Sequence, residues 1–190
     1  MCCGTKRLTE IRCPPTCGYL QSARAHPAAV VRRRDERELR FFASVLHGTS
    51  EQQRAVFAFL QTVIARHAAS AIPKLVDKDV VDAVGALAGS FETASRGIIY
   101  DQQPTSLPGQ RLAADLRQQI EQALHASERP VDRDLAIALR RTETMASHAA
   151  TELEGGNTAY LQFLERKIGK GDEKRETSPR ERPSNLIIPG

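Results

Sequence analysis

The sequence predicts an all-α fold: a bundle of about five to six helices, with a short cysteine-rich segment at its start and a disordered tail at its end. Three observations lead there. Apolar residues recur at three- and four-residue spacing through most of residues 26–168, and no stretch alternates with a period of two long enough to make a strand. The hydrophobic share of 41% comes mainly from Ala, Leu, Val and Ile, with six Phe, three Tyr and no Trp, a composition that suits packed helices better than a sandwich. A chain of 190 residues suits one domain with a sizeable core, able to remove about 70% of its unfolded surface from water. Its ten Pro and twelve Gly fall at the breaks between periodic stretches, where they act as punctuation.

The first helix is expected within HPAAVVRRRDERELRFFASVLHG, residues 26–48. Pro27 suits its first turn, Gly48 its stop, and Val30, Val31, Phe41, Phe42, Val45 and Leu46 its buried stripe. Thr49 and Ser50, with Gln52 and Gln53 three residues on, offer a capping box to a second helix whose face is Val56, Phe59, Leu60, Val63 and Ile64. Pro73 breaks that pattern. Asp77 is placed to cap a third helix, with Val80, Val81, Val84, Leu87, Ala88 and Phe91 on one face and Gly97 at its end. GIIYDQQPTSLP, residues 97–108, connects to a fourth helix that begins around Ser106–Pro108 and carries the narrow ridge Leu112, Leu116, Ile120 and Leu124. Asp132 is read as the cap of a fifth, with Leu135, Ala138, Leu139, Met145, Ala149 and Leu153, stopped by Gly155 and Gly156. Asn157 then starts a short sixth with Tyr160, Leu161, Leu164 and Ile168. Residues 169–190 are charged and almost free of apolar side chains until Leu186, so they cannot repay their ordering entropy. Their terminal NLIIP reads either as a docking peptide or as the plain end of a tail. The organisation is therefore a cysteine-rich segment 1–25, a bundle 26–168 and a tail 169–190.

The net charge of +4 is unevenly distributed. Lys6, Arg7, Arg12, Arg24, Arg32, Arg33 and Arg34 oppose Glu10 alone in the first 34 residues, so the positive excess sits beside the cysteines. Such a patch attracts an acidic protein or a nucleic-acid backbone without identifying either. RRRDERELR, residues 32–40, is interrupted by Asp35, Glu36 and Glu38 and is read as a solvated helix face rather than a phosphate grip. The start MCCGTKRL lacks the apolar run of a secretory signal, and no later run is long enough to span a membrane, so a cytoplasmic protein without a membrane anchor is expected.

In that compartment thiols stay reduced, and clustered cysteines are metal ligands or redox groups rather than disulfides. All four lie near the start, as Cys2, Cys3, Cys13 and Cys17, with His26 nine positions further on. Zinc wants four soft or borderline ligands in a tetrahedron, and closely spaced ligands on tight turns supply them without strain. Cys13-Pro-Pro-Thr-Cys17 is one plausible pair. The remainder is open: one of Cys2 and Cys3 with His26, both adjacent thiols, or two metals sharing the set. Iron–sulfur ligation needs further cysteines at other spacings, and thiols without any ligand are the remaining alternative.

The stretches CCGTKRLTEIRCPPTCGYL and ARAHPAAVV resemble the cysteine-rich start of a group of uncharacterised bacterial proteins, and the resemblance continues into RGIIYDQQPTSLPGQRLA, residues 96–113. It implies a zinc-finger-like module on a helical body and no particular activity. This chain departs from the pattern by beginning at the CCG, where further cysteines typically precede it; without them the metal site is half a site.

Catalytic signatures are missing. No HExxH, ExxH, GxxxxGK[ST], GxGxxG or GxSxG occurs. His67 falls on the inner side of the second helix near its end and is read as a core-edge residue, as are His125 and His148; Glu121 and His125 make an i, i+4 surface pair. Arg96, Tyr100 and Asp101 mark the loop to inspect for a pocket, against the alternative that Ile98, Ile99 and Tyr100 plug the end of the bundle. The expected function is a non-enzymatic metal-binding or interaction protein, a regulator or adaptor for protein or nucleic acid. The alternatives are a helical interaction protein with vestigial cysteines and, less favoured, a redox or metal enzyme.

Overall fold

The computed structural model describes residues 14, 16–25, 28–94, 96–97, 102–126 and 132–169, and the regular elements among them are helical throughout. Seven α-helices follow in order: α1 Gly18–Ala25, α2 Ala29–Leu46, α3 Glu51–Ser70, α4 Asp77–Ala94, α5 Leu107–Ala126, α6 Asp132–Glu152 and α7 Ala159–Leu164. A 3-10 turn, Gly156–Thr158, leads into α7 and a π-turn, Glu165–Gly169, leaves it. The all-α bundle is the expected class. The expected tail beyond residue 169, and Ile98, Ile99 and Tyr100 of the expected plug, lie outside the described residues.

The chain divides into two compact units, Met1–Arg40 and Phe41–Gly190, with the boundary inside α2. In the first, α1 is an element that the sequence reading folded into the cysteine-rich segment. It exposes Tyr19 and buries Leu20, and a stretch GYLQSARA with so few large apolar residues carries too little periodicity to announce a helix. Val30, assigned to the buried stripe, is 74% exposed instead: it lies in the opening turn of α2 beside Ala28 and Ala29, which are exposed too, and the buried face of the helix begins further along.

The second unit holds the core. Phe57, Leu60 and Ile64 of α3 meet Val84 and Leu87 of α4, Leu112, Leu116 and Ile120 of α5, Leu135, Leu139 and Met145 of α6, and Leu164 of α7 in one buried cluster. The most extensive helix pairing is α4 on α6. The expected stripe of α3 names Phe59, which is only partly buried, and omits Phe57, which is the fully buried aromatic and packs its ring against Phe42, centroids 6.0 Å apart. Leu124 likewise closes the α5 ridge only partly buried.

Caps and turns fix the helix starts. The capping box of α3 forms as expected: Ser50 Oγ accepts from Gln53 N and Gln53 Oε1 accepts from Ser50 N, both at 3.1 Å. The Gln53 amide also donates to Asp134 Oδ1 at 2.9 Å, which ties α3 to α6. Asp77 does not cap its own helix. It is the first residue of α4, and Asp79 reaches back instead, its Oδ2 accepting from Val76 N at 3.0 Å. The Asp77 carboxylate accepts from Tyr160 N at 2.9 Å and Leu161 N at 3.2 Å, so it satisfies the amino end of α7, where Thr158 supplies no side-chain cap. Asn157 lies within the 3-10 turn rather than starting α7.

At the start of α5, Ser106 Oγ accepts from Gly109 N at 3.0 Å and donates to Asp79 Oδ1 at 2.7 Å. Asp82 Oδ2 accepts from Thr105 N, Thr105 Oγ1 and Ser106 N at 2.6, 2.8 and 3.1 Å. Two carboxylates of α4 thus hold the connection into α5.

Candidate functional site

Of the residues expected to hold a metal, the structure describes Cys17; Cys2, Cys3, Cys13 and His26 lie outside the described residues. Cys17 is a free, half-buried thiol. Its N–H donates to Pro14 O at 3.0 Å, closing a tight turn, and its carbonyl accepts from Leu20 N and Gln21 N, both at 3.0 Å. That carbonyl takes the first hydrogen bonds of α1, which makes Cys17 the residue on which turn becomes helix. Among the described residues no group of three or more His, Cys, Asp or Glu is gathered for a metal.

The charged run on α2 is a solvent-facing surface, as expected. Arg32, Arg33, Asp35, Glu36, Arg37 and Arg40 are exposed, and Arg40 Nε turns back to Glu36 O at 3.3 Å. Glu38 is the exception: it is buried, with Arg34 Nε 3.9 Å from its Oε1.

In the second unit the polar groups at the core form a relay. Tyr160 OH donates to Gln61 Oε1, Gln61 Nε2 donates to Thr142 Oγ1 at 3.0 Å, and Thr142 Oγ1 donates to Ala138 O at 2.9 Å. The chain links α7, α3 and α6, and each hydroxyl or amide in it has a partner, as buried polar groups require. Burial pushes the Tyr160 phenol upward, the negative charge of Asp77 adds to that, and the bond to Gln61 opposes it, so the hydroxyl is kept as a donor. Burial also raises the Asp77 carboxyl against the lowering pull of the Tyr160, Leu161 and Ala159 backbone N–H groups. Both groups are buried in the fold.

Two of the openings on this unit lie among the described residues. In the smaller, of about 300 Å3, His67, Arg111 and Ser70 line a pocket with Ile72, Pro73 and Pro108. His67 Nδ1 is 2.8 Å from Asp115 Oδ2, which joins α3 to α5, and Arg111 Nη1 donates to Ile72 O at 2.8 Å. His67 is therefore the core-edge residue expected of it. His148, assigned the same setting, is exposed on α6, because Met145, Ala146 and Ala149 take the inward face of that turn. Arg96 is exposed and outside both openings, and Tyr100 and Asp101 lie beyond the described residues.

The larger opening, of about 450 Å3, runs between α3 and α7 with its π-turn. Ala65, Ala68 and Ala69 of α3 form a floor of small side chains, and Leu75, Leu161 and Ile168 add apolar walls. Arg66, Lys74 and Glu165 stand at its edge. The sequence signal for this cleft is the run of alanines at the end of α3, which the reading of His67 passed over.

No helix among the described residues is long and apolar enough to cross a membrane. Comparison of the chain with family models, curated proteins and solved structures gives no match.

Proposed function

We propose that this chain is a non-enzymatic, zinc-binding interaction protein, in which a metal-ordered N-terminal segment presents basic side chains to an anionic partner surface and the helical bundle carries it. The observation that supports this reading is the turn at Cys17. A thiol on a tight Pro14–Cys17 turn at the head of a helix, with Cys13 directly before that turn in the sequence, is the arrangement that lets two closely spaced ligands share one metal. The donor chemistry fits zinc: Cys13 and Cys17 would supply two thiolates, and Cys2, Cys3 and His26 the remaining positions. Zinc at such a site contributes on the order of 10 kcal/mol to folding a segment too small to order itself. Lys6, Arg7 and Arg12 lie between the cysteines in sequence, and ordering that stretch would fix their charges relative to one another. A partner with phosphate or carboxylate groups, nucleic acid or acidic protein, complements them.

The absence of catalytic motifs supports the non-enzymatic half of the reading, together with the engagement of Asp77, Asp79 and Asp82 in caps and of Tyr160, Gln61 and Thr142 in a closed relay. The test is elemental analysis of untagged protein beside a Cys13→Ser, Cys17→Ser variant. About one zinc per chain, lost in the variant, is expected. Metal-free protein in both preparations refutes the reading, and iron in place of zinc moves it to redox chemistry.

A further inference from the structure

The cleft between α3 and α7 has a floor of alanines, and small side chains there leave room that larger aliphatic side chains can fill. We propose that its occupant is this chain's own segment Leu186–Pro189, folded back from the end of the π-turn.

Four features argue for that occupant. Ile168 is itself part of the cleft wall, so the chain leaves from the opening it would return to. Leu186, Ile187, Ile188 and Pro189 form the one apolar run in the sequence after Ile168. Residues 169–185 lie between, and at about 3.3 Å per residue they reach roughly 55 Å when extended, ample to double back across a local cleft. The volume of about 450 Å3 falls in the range of pockets that hold small ligands, about 300–1,000 Å3, and accommodates a few aliphatic side chains.

Charge agrees with the direction of the chain. Arg66 and Lys74 at the edge take part in no ion pair among the described residues: Arg66 Nη2 is 3.5 Å from Gln119 Oε1, and Lys74 Nζ is 3.4 Å from Ala69 O. Upstream of the apolar run, Glu176 and Glu181 supply acidic groups for that edge, while Arg180 and Arg182 suit Glu165. Tethering favours the internal segment over a second copy, because a segment on the same chain meets the cleft at an effective concentration set by the length of the connection, and the closure cost rises only slowly with that length.

The experiment uses the full chain and follows backbone hydrogen exchange across 161–168, comparing wild type with an Ile187→Asp, Ile188→Asp variant and with Ala69→Arg, which places a bulky charge at an exposed position on the cleft floor. Each variant is expected to lose protection there by roughly tenfold or more, as loss of buried aliphatic contact implies. Combining them should add little further. The tail variant alters no residue of the folded core, so a general loss of protection throughout α3–α6 is not expected of it. Unchanged protection at 161–168 in the tail variant overturns the proposal. So does protection that depends on protein concentration together with a dimer in sedimentation, since a second copy then fills the cleft.

Discussion

Asp77 and Asp82 sit five residues apart on α4 and show how placement alone sets the behaviour of one side chain type. Burial would raise both. At Asp82 the bonds from the Thr105 hydroxyl and the Ser106 and Thr105 N–H groups, with Lys78 nearby, outweigh it and hold the carboxyl below its usual range. At Asp77 burial wins over its backbone bonds and the carboxyl is raised. The signs follow by linkage. The stability Asp82 provides is complete above its unfolded value of about 3.9 and is lost as pH falls through its lower folded value. Asp77 holds its proton to higher pH when folded, so the stability its charged form costs returns as pH falls through its raised folded value. Denaturant unfolding of Asp82→Asn and Asp77→Asn across the acid range should therefore show wild type losing ground to the first variant and gaining on the second as pH drops; slopes of the same sign would contradict this assignment. Tyr160→Phe is a second test at this scale. It deprives the buried Gln61 oxygen of its donor and should cost about 1–3 kcal/mol, whereas adding Gln61→Leu removes the orphaned acceptor, so the pair should cost less than the sum of its singles.

At the scale of elements, α4 and α5 show why a glycine in a helix is not one kind of residue. A Cβ at Gly85 would lie 2.8 Å from Glu143 Oε1, the far end of a flexible side chain on α6. Moving that carboxylate gives up its bond to Arg140, a partly exposed pair worth about 0.2–1 kcal/mol, while Arg140 keeps both of its bonds to Glu92. Alanine regains about 1 kcal/mol of helix propensity, so Gly85→Ala should be neutral to stabilising. Gly109 is different: its Cβ would meet Asp79 O, a backbone atom, at 3.2 Å and Ser106 Oγ, fixed by two hydrogen bonds, at 2.8 Å. Gly109→Ala should cost about 1–3 kcal/mol by overpacking, which thermal melts of the two variants would resolve at roughly 2–4 °C per kcal/mol. The sequence announced α3, α5 and α6 because their apolar spacing is regular and their signals local; Ser50 and Gln53 stand three residues apart and speak for themselves. Asp77 was misassigned for the opposite reason. A carboxylate at the head of a helix looks like that helix's cap, and nothing near it in sequence says that its partners are Tyr160 and Leu161, more than eighty residues on. The alanine-floored cleft was illegible for a related reason, since Ala65, Ala68 and Ala69 read as ordinary helix filler until α7 is set opposite them.

For the molecule as a whole, the division after Arg40 falls between the described cysteine and the buried cluster. Cys17 belongs to Met1–Arg40, whereas the buried cluster is built from Phe41 onward, with Phe41 and Val45 at one end of its sequence span and Leu164 at the other. The all-α class was readable from periodicity because that cluster comes from regular stripes. The fate of the cysteines was not, because Cys2, Cys3, Cys13 and His26 follow no period and metal ligation depends on geometry that spacing alone leaves open. If zinc orders the first unit, its binding energy is spent on that unit, since a ligand stabilises the state that forms its site. Chelation of zinc from wild type, or Cys13→Ser with Cys17→Ser, should then leave the cooperative melting of the helical core within about 1 °C, a surface-sized effect on a domain of this length. The same treatments should raise backbone hydrogen exchange across α1 and the first turns of α2. A core transition that falls by many degrees on chelation would mean that the metal holds both units, and that the N-terminal segment is a structural part of the bundle rather than a module it carries.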